Sequence, residues 1–196
     1  NGEMMKVIYE TLKNFPKCFN SCNFIIHEKS SYLTNEQKKN LISNNITWVN
    51  KVEINNLFPS IYLANEFFDA LPIKQLFKRE KNWFERFVDL EKAKFYEKKV
   101  NIKQIEKNLK FEISKNQNII EYAPDAFRYL EKICNIIKKN DGGILIIDYG
   151  YLNSKMKNTL QAIKDHKFSN ILEDIGNSDI TYNINFNLFI NFINQF

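Results

Sequence analysis

The chain has 196 residues, 44% of them hydrophobic and 26% charged, enough to bury one substantial core and hardly two. No run of about 18 uncharged apolar residues occurs, which argues against a membrane-spanning helix, and Cys18, Cys22 and Cys134 have no zinc-site spacing and are expected to stay reduced. The formal charge of +5 comes from 25 lysines and three arginines (Arg79, Arg86 and Arg128) interspersed with 23 acidic residues, a weak set for reading nucleic acid and one better explained as solvated faces.

Glu3 to Asn14 carries Met4, Val7, Ile8 and Leu12 at helical spacing and stops before Pro16. Asn23 to His27 is a short apolar run closed by Glu28, followed by a second helical stretch from Ser31 through Leu41. Ile46–Val49 and Ser60–Ala64 read as further strands, the latter ending at the polar cluster Asn65, Glu66 and Asp69. From Ile73 to Ile113 the pattern changes to longer alternating segments, including Trp83–Leu90 and Ala93–Val100, as in an inserted antiparallel sheet. Ile119–Tyr122 is strand-like, and Asp125–Lys138 is an amphipathic helix expected to end at Gly142 and Gly143. Gly143–Tyr149 (GILIIDY) is almost continuously apolar, which predicts a central strand covered on both faces. Strand–helix alternation with strands ending in Glu28, Asn65 and Asp148 predicts a doubly wound α/β domain, in which ligands bind at the carboxyl ends of the strands.

The phrase Ala64-Asn65-Glu66-Phe67-Phe68-Asp69-Ala70-Leu71-Pro72 resembles the MidA family of S-adenosylmethionine-dependent methyltransferases. The resemblance extends over essentially the whole chain. It includes His27-Glu28-Lys29-Ser30 with Gln37, Gln75, Trp83-Phe84-Glu85-Arg86, Glu121 to Pro124, Ile147 to Tyr151, Thr159 to Ala162 with His166, and Asp179-Ile180-Thr181. It implies a class I methyltransferase fold, a Rossmann-like doubly wound sheet. Residues 1–196 would form a single domain, incomplete at both ends, with an inserted β-rich segment at about 73–113. The resemblance places Gly2 at the end of a glycine-rich turn whose preceding strand lies outside the sequence. It also implies the strand order 3-2-1-4-5-7-6, S-adenosyl-L-methionine as cofactor, and methylation of an arginine on a protein such as a subunit of respiratory complex I. The compartment implied is the bacterial cytoplasm or the mitochondrial matrix, and pairing with a second copy is compatible with the sequence. Family members usually have histidine and aspartate where this chain has Asn183 and Asn185, and aspartate in place of Asn158.

On this reading the cofactor-binding residues are Gly2, Glu28, Asn65 and Glu66. Gly2 would admit the cofactor to a helix N-terminus, and Glu28 would accept hydrogen bonds from both ribose hydroxyls. Glu66 and Asp69 are the catalytic candidates, because paired carboxylates grip a planar guanidinium and orient one nitrogen. His166 is a third candidate, as a general base. Asp148, Tyr149 and Asp179 are assigned to the substrate. No metal is expected, since neither histidine has a partner at ligand spacing, and no nucleic-acid partner is expected. The contrasting reading is a catalytically silent member of the same family that serves as an interaction module.

Overall fold

Among the described residues three short parallel strand pairs carry the α/β pattern. The computed structural model describes residues 2–41, 45–52, 57–173 and 176–196. Where the sequence suggests one domain over 1–196, the chain divides into two compact units, residues 1–55 and 56–196.

The first unit contains α1 (Glu3–Lys13), α2 (Pro16–Phe19), β1 (Phe24–His27), α3 (Ser31–Asn40) and β2 (Ile46–Val49). β1 and β2 run parallel, Phe24 opposite Ile46 and His27 opposite Val49. One face is closed by apolar side chains at helical spacing: Met5, Ile8 and Leu12 of α1 pack with Phe19 against Phe24, Leu41 and Ile46. Tyr9 meets both Phe19 and Phe24 edge-on, at 5.0 Å. On the opposite face Ile25 is half-exposed.

The second unit begins with β3 (Ser60–Asn65), β4 (Lys74–Arg79), β5 (Asn82–Asp89), β6 (Lys94–Val100), α4 (Ile102–Leu109), β7 (Ile119–Tyr122), α5 (Pro124–Asn140) and β8 (Gly142–Ile147). It continues with β9 (Gly150–Tyr151), β10 (Gln161–Lys164), β11 (Lys167–Ser169), β12 (Asp179–Thr181), β13 (Ile184–Asn185) and α6 (Phe186–Ile193). β3 pairs in parallel with β8, from Ser60 opposite Gly142 to Asn65 opposite Ile147. Ala64, Ile144 and Ile146 on one face of this pair pack into the core that contains α5 and α6, where Phe68, Leu130 and Ile184 are fully buried.

The expectation that β8 is central and covered on both faces is corrected. Among the described residues β8 pairs only with β3, and Leu145 and Ile147 are 53% and 52% exposed. On the same face Ile61 is 80% exposed. An unbroken apolar run shows that a strand could be covered on both sides, whereas α5 occupies one side only. The helix end is corrected too. α5 stops at Asn140, and Asp141, at φ +66°, turns the chain so that Gly142 opens β8 and does not cap the helix.

The inserted segment is a four-stranded antiparallel sheet in the order β6-β5-β4-β7. Its last strand comes from beyond the expected limit of 113, and residues 102–109 within that limit are helical. There Asn101 caps α4 by accepting a hydrogen bond from Gln104 N at 3.3 Å, and Ile102, Ile105 and Leu109 lie on one face against the core.

At Gly142 the β3–β8 ladder requires glycine. φ is +134°, and a Cβ there would lie 2.0 Å from the Ser60 carbonyl oxygen. Gly142→Ala is expected to combine backbone strain with overpacking and cost on the order of 3 kcal/mol, read as a lower midpoint in urea unfolding followed by far-UV circular dichroism.

Candidate functional site

In the first unit the candidate cofactor residues sit at the starts and ends of regular elements. Gly2 precedes α1 in a left-handed conformation, φ +90°, and its carbonyl accepts the hydrogen bond from Lys6 N at 3.0 Å. A Cβ at Gly2 would come within 3.0 Å of Leu41 Cδ1, so the bare backbone beside the open first-turn amides is built into the unit. Glu28 follows β1 and is half-buried. Its Oε1 accepts from Ser30 N at 2.8 Å and its Oε2 from Gln37 Nε2 at 3.1 Å, while Gln37 Oε1 accepts from Trp48 Nε1 at 3.0 Å. The carboxylate is therefore held in one orientation with lone pairs to spare, as capture of vicinal hydroxyls demands. Trp48 escaped the sequence reading, because nothing in a four-residue strand shows that its indole N–H reaches a glutamine eleven positions away.

In the second unit the carboxyl ends of β3 and β8 bring Asn65, Glu66, Asp69, Asp148 and Tyr149 together. Glu66 is exposed, takes the left-handed conformation at φ +45°, and donates its N–H to the Ile147 carbonyl at 2.9 Å. Asp148 Oδ2 accepts from Phe68 N at 2.9 Å and Asp69 N at 3.3 Å, and its Oδ1 accepts from Tyr149 N at 2.9 Å. Asp148 thus pins the turn that carries Glu66, a positioning task in addition to the substrate contact assigned from sequence. Asp69 is 5% exposed, with its Oδ1 sealed from solvent and unpartnered. Burial first, then the nearby carboxylates of Asp148 and Glu66, push its carboxyl up to about 6. Tyr182 approaches the same region with a buried, unpartnered hydroxyl, pushed well above the ordinary phenol range by burial and then by Asp148, Glu121 and Asp69.

A second polar centre, quoted in the sequence only as family phrases, forms around Glu121. This 4%-exposed carboxylate accepts hydrogen bonds from Gln75 Nε2 at 2.6 Å, Thr159 N at 3.0 Å, Leu160 N at 3.3 Å and the Thr159 hydroxyl. Thr159 Oγ1 in turn accepts from Asn183 N at 2.9 Å. The signal in the sequence was a lone glutamate inside an apolar strand.

The remaining candidates lie elsewhere. His166 is exposed at φ +60° and shares with Asp165 the two-residue turn of the β10–β11 hairpin, a turn geometry with both central residues left-handed. Asp179 is exposed at the start of β12, opposite Ile163. Both belong to the three-stranded sheet β11-β10-β12, not to the β3–β8 pair whose carboxyl ends carry Glu66, Asp69 and Asp148. Asn185 caps α6 through Leu188 N, and Asn158 accepts from Gln75 Nε2 at 2.7 Å.

Parallel βα units, with an acidic residue after one strand and an acidic cluster after another, make an α/β fold of the class I methyltransferase type. Over residues 1–195 the chain matches the family model described as "Putative S-adenosyl-L-methionine-dependent methyltransferase", and it belongs to that family, whose cofactor is S-adenosyl-L-methionine. It is 25% identical to the mitochondrial protein arginine methyltransferase NDUFAF7 of Xenopus tropicalis, over 95% of this chain and 49% of that protein. It is 29% identical to the human protein of the same name, over 65% of this chain and 29% of that one. A crystal structure of a Burkholderia thailandensis protein bound to S-adenosyl-homocysteine superposes with a TM-score of 0.71 at 17% identity, over 98% of this chain and 51% of that one. The chain spans about half the length of the Xenopus tropicalis relative.

Asp69 makes stability depend on pH. Its carboxyl holds a proton more tightly in the folded chain, at about 6, than at its ordinary 3.8, so its contribution is most favourable below pH 4 and is lost as pH rises through 6. Asp69→Asn is expected to gain about 1 kcal/mol over wild type at pH 7, after discounting for solvent screening, and to lose that advantage at pH 4. Paired urea titrations at the two pH values check this.

Proposed function

We propose that the chain carries the cofactor- and acceptor-binding residues of an S-adenosyl-L-methionine-dependent protein arginine methyltransferase. The observation that supports it is the group Glu66, Asp69 and Asp148 at the carboxyl ends of β3 and β8. None of these three carboxylates is ion-paired with a lysine or arginine among the described residues. Such a cluster favours a cationic acceptor, and a guanidinium suits carboxylates best because it offers parallel N–H donors. The names of the NDUFAF7 relatives, protein arginine methyltransferases, point the same way. A subunit of respiratory complex I is the acceptor we favour, with the bacterial cytoplasm or the mitochondrial matrix as the compartment.

When bound, the cofactor supplies an electrophilic methyl group on its sulfonium. Gly2 would leave the start of α1 open to it, and Glu28 would hold the ribose hydroxyls. Glu66, exposed and with its backbone held by the β8 carbonyl, would orient the guanidinium, and the N–H proton shed as one nitrogen gains the methyl group passes to solvent. Asp148 keeps the 66–69 turn in place. Asp69 acts from behind that turn, its buried carboxyl adding negative potential when ionised. An interaction module without catalysis is the alternative, and the uncovered apolar face of Ile61, Leu145 and Ile147 is the observation in its favour.

Calorimetric titration of S-adenosyl-homocysteine into the 196-residue chain separates the two. Binding heat is expected, weakened at least about tenfold by Glu28→Ala through loss of charge-assisted hydrogen bonds. Absence of heat rejects cofactor binding by this chain. Glu66→Gln is expected to lower methyl transfer to an arginine peptide by about 100-fold.

A further inference from the structure

The antiparallel sheet carries a guanidinium that the chain itself leaves under-used. By register, Gln75, Phe77 and Arg79 of β4, Phe84 and Arg86 of β5, Phe95, Glu97 and Lys99 of β6 and Glu121 of β7 share one face. Arg86 sits over the Phe77 ring, its Cζ 4.1 Å from the centroid, with the Phe95 centroid at 5.3 Å. Its polar contacts are long: Gln75 Oε1 at 3.4 Å and Glu97 Oε1 at 4.0 Å. Glu97 is already engaged by Arg79, whose Nε and Nη2 donate to it at 2.8 to 3.0 Å. Gln75, which flanks the guanidinium, is itself fixed by Glu121 and Asn158. Arg86 is therefore pre-oriented, with its side chain 26% exposed and most of its five N–H donors unspent. At the other end of β5 and β6 an open concavity of about 470 Å³ is lined by Lys81, Lys99 and Lys103. The charge of this face is positive, because Arg79, Arg86 and Lys99 outnumber the partly exposed Glu97 and Glu121 is sealed inside.

We infer that this face is a docking surface for an acidic peptide segment, with Arg86 taking one carboxylate bidentately and the lysine-lined concavity attracting the residues beyond it. The inference rests on the reading that the methyl acceptor is a protein, and adds that the acceptor presents acidic residues away from its methylated side chain. Arginine Nε–H signals of the whole chain report on it directly, because there are only three arginines. They are assigned with Arg79→Lys and Arg128→Lys. An arginine-free peptide of four glutamates is titrated in, with its glutamine counterpart, acetate and inorganic phosphate in parallel. The glutamate peptide is expected to shift the Arg86 signal saturably and at least tenfold more tightly than acetate, the glutamine peptide to leave it unmoved, and Lys99→Glu to weaken the peptide at least threefold. An unmoved Arg86 signal overturns the inference, as does a response to acetate or phosphate equal to that of the peptide. The probe contains no methyl acceptor, so docking and methyl transfer fail separately.

Discussion

A parallel strand pair delivers both carboxyl ends to one edge, and whatever the chain places there has to be held against its own repulsion. In the β3–β8 pair that task falls to Asp148, whose carboxylate gathers the N–H groups of Phe68, Asp69 and Tyr149. Hydrogen bonds to a charged group contribute about 1.5 to 3 kcal/mol each, enough to keep Glu66 in a left-handed conformation that costs a non-glycine residue about 1 to 3 kcal/mol. Asp69 bears the cost on the other side, sealed next to a second carboxylate with one oxygen unpartnered. The result is a turn in which the backbone of the exposed Glu66 is held, with the buried Asp69 and half-buried Asp148 behind it.

Glu121 solves a related problem by different means. It too is a buried carboxylate, but every hydrogen bond it accepts comes from a neutral donor on Gln75, Thr159 or Leu160. Neutral donors satisfy the anion without a partner cation, whose desolvation would cost more than it returned. Because two of the donors belong to the segment after β9, and Thr159 also binds the backbone of Asn183, this one side chain ties the antiparallel sheet to the stretch that presents Tyr182. The consequence for function is geometric: the tyrosine is brought toward Asp69 and Asp148 by a residue of the inserted sheet.

The elements were legible in the sequence wherever periodicity and composition agreed. Phe24–His27, Ile46–Val49 and Ser60–Asn65 are strands as their apolar runs implied, and Glu28, Asn65 and Asp148 stand at strand ends. Burial was less legible, since Leu145 and Ile147 have the composition of covered residues and are open. α4 was hidden in a segment dominated by alternation, its cue being the Asn101 cap and three apolar side chains on one face. Among site residues, Glu66 could be picked from its place after a strand. The burial of Asp69 could not, because it depends on Asp148, seventy-nine positions later in the chain. His166 shares with Asp165 the left-handed turn of the β10–β11 hairpin, a place that a lone histidine between two short strands does not reveal in the sequence.

Asn158, Asn183 and Asn185 are uncharged amides, and their surroundings show how the chain uses them. Asn158 accepts from the same Gln75 amide nitrogen that donates to Glu121, so an aspartate there would set a second negative charge close to a buried one. Asn185 accepts from Leu188 N to cap α6 and donates from Nδ2 to the Asn153 carbonyl at 3.1 Å; an aspartate could cap the helix but could not make the second bond. Asn183 enters the Thr159 contacts through its backbone. Amides at these positions keep the packing of the segment while removing its charge. Beside the turn that carries Glu66, the Asp69 carboxyl and the Tyr182 hydroxyl are both made harder to ionise, by burial first and then by neighbouring carboxylates.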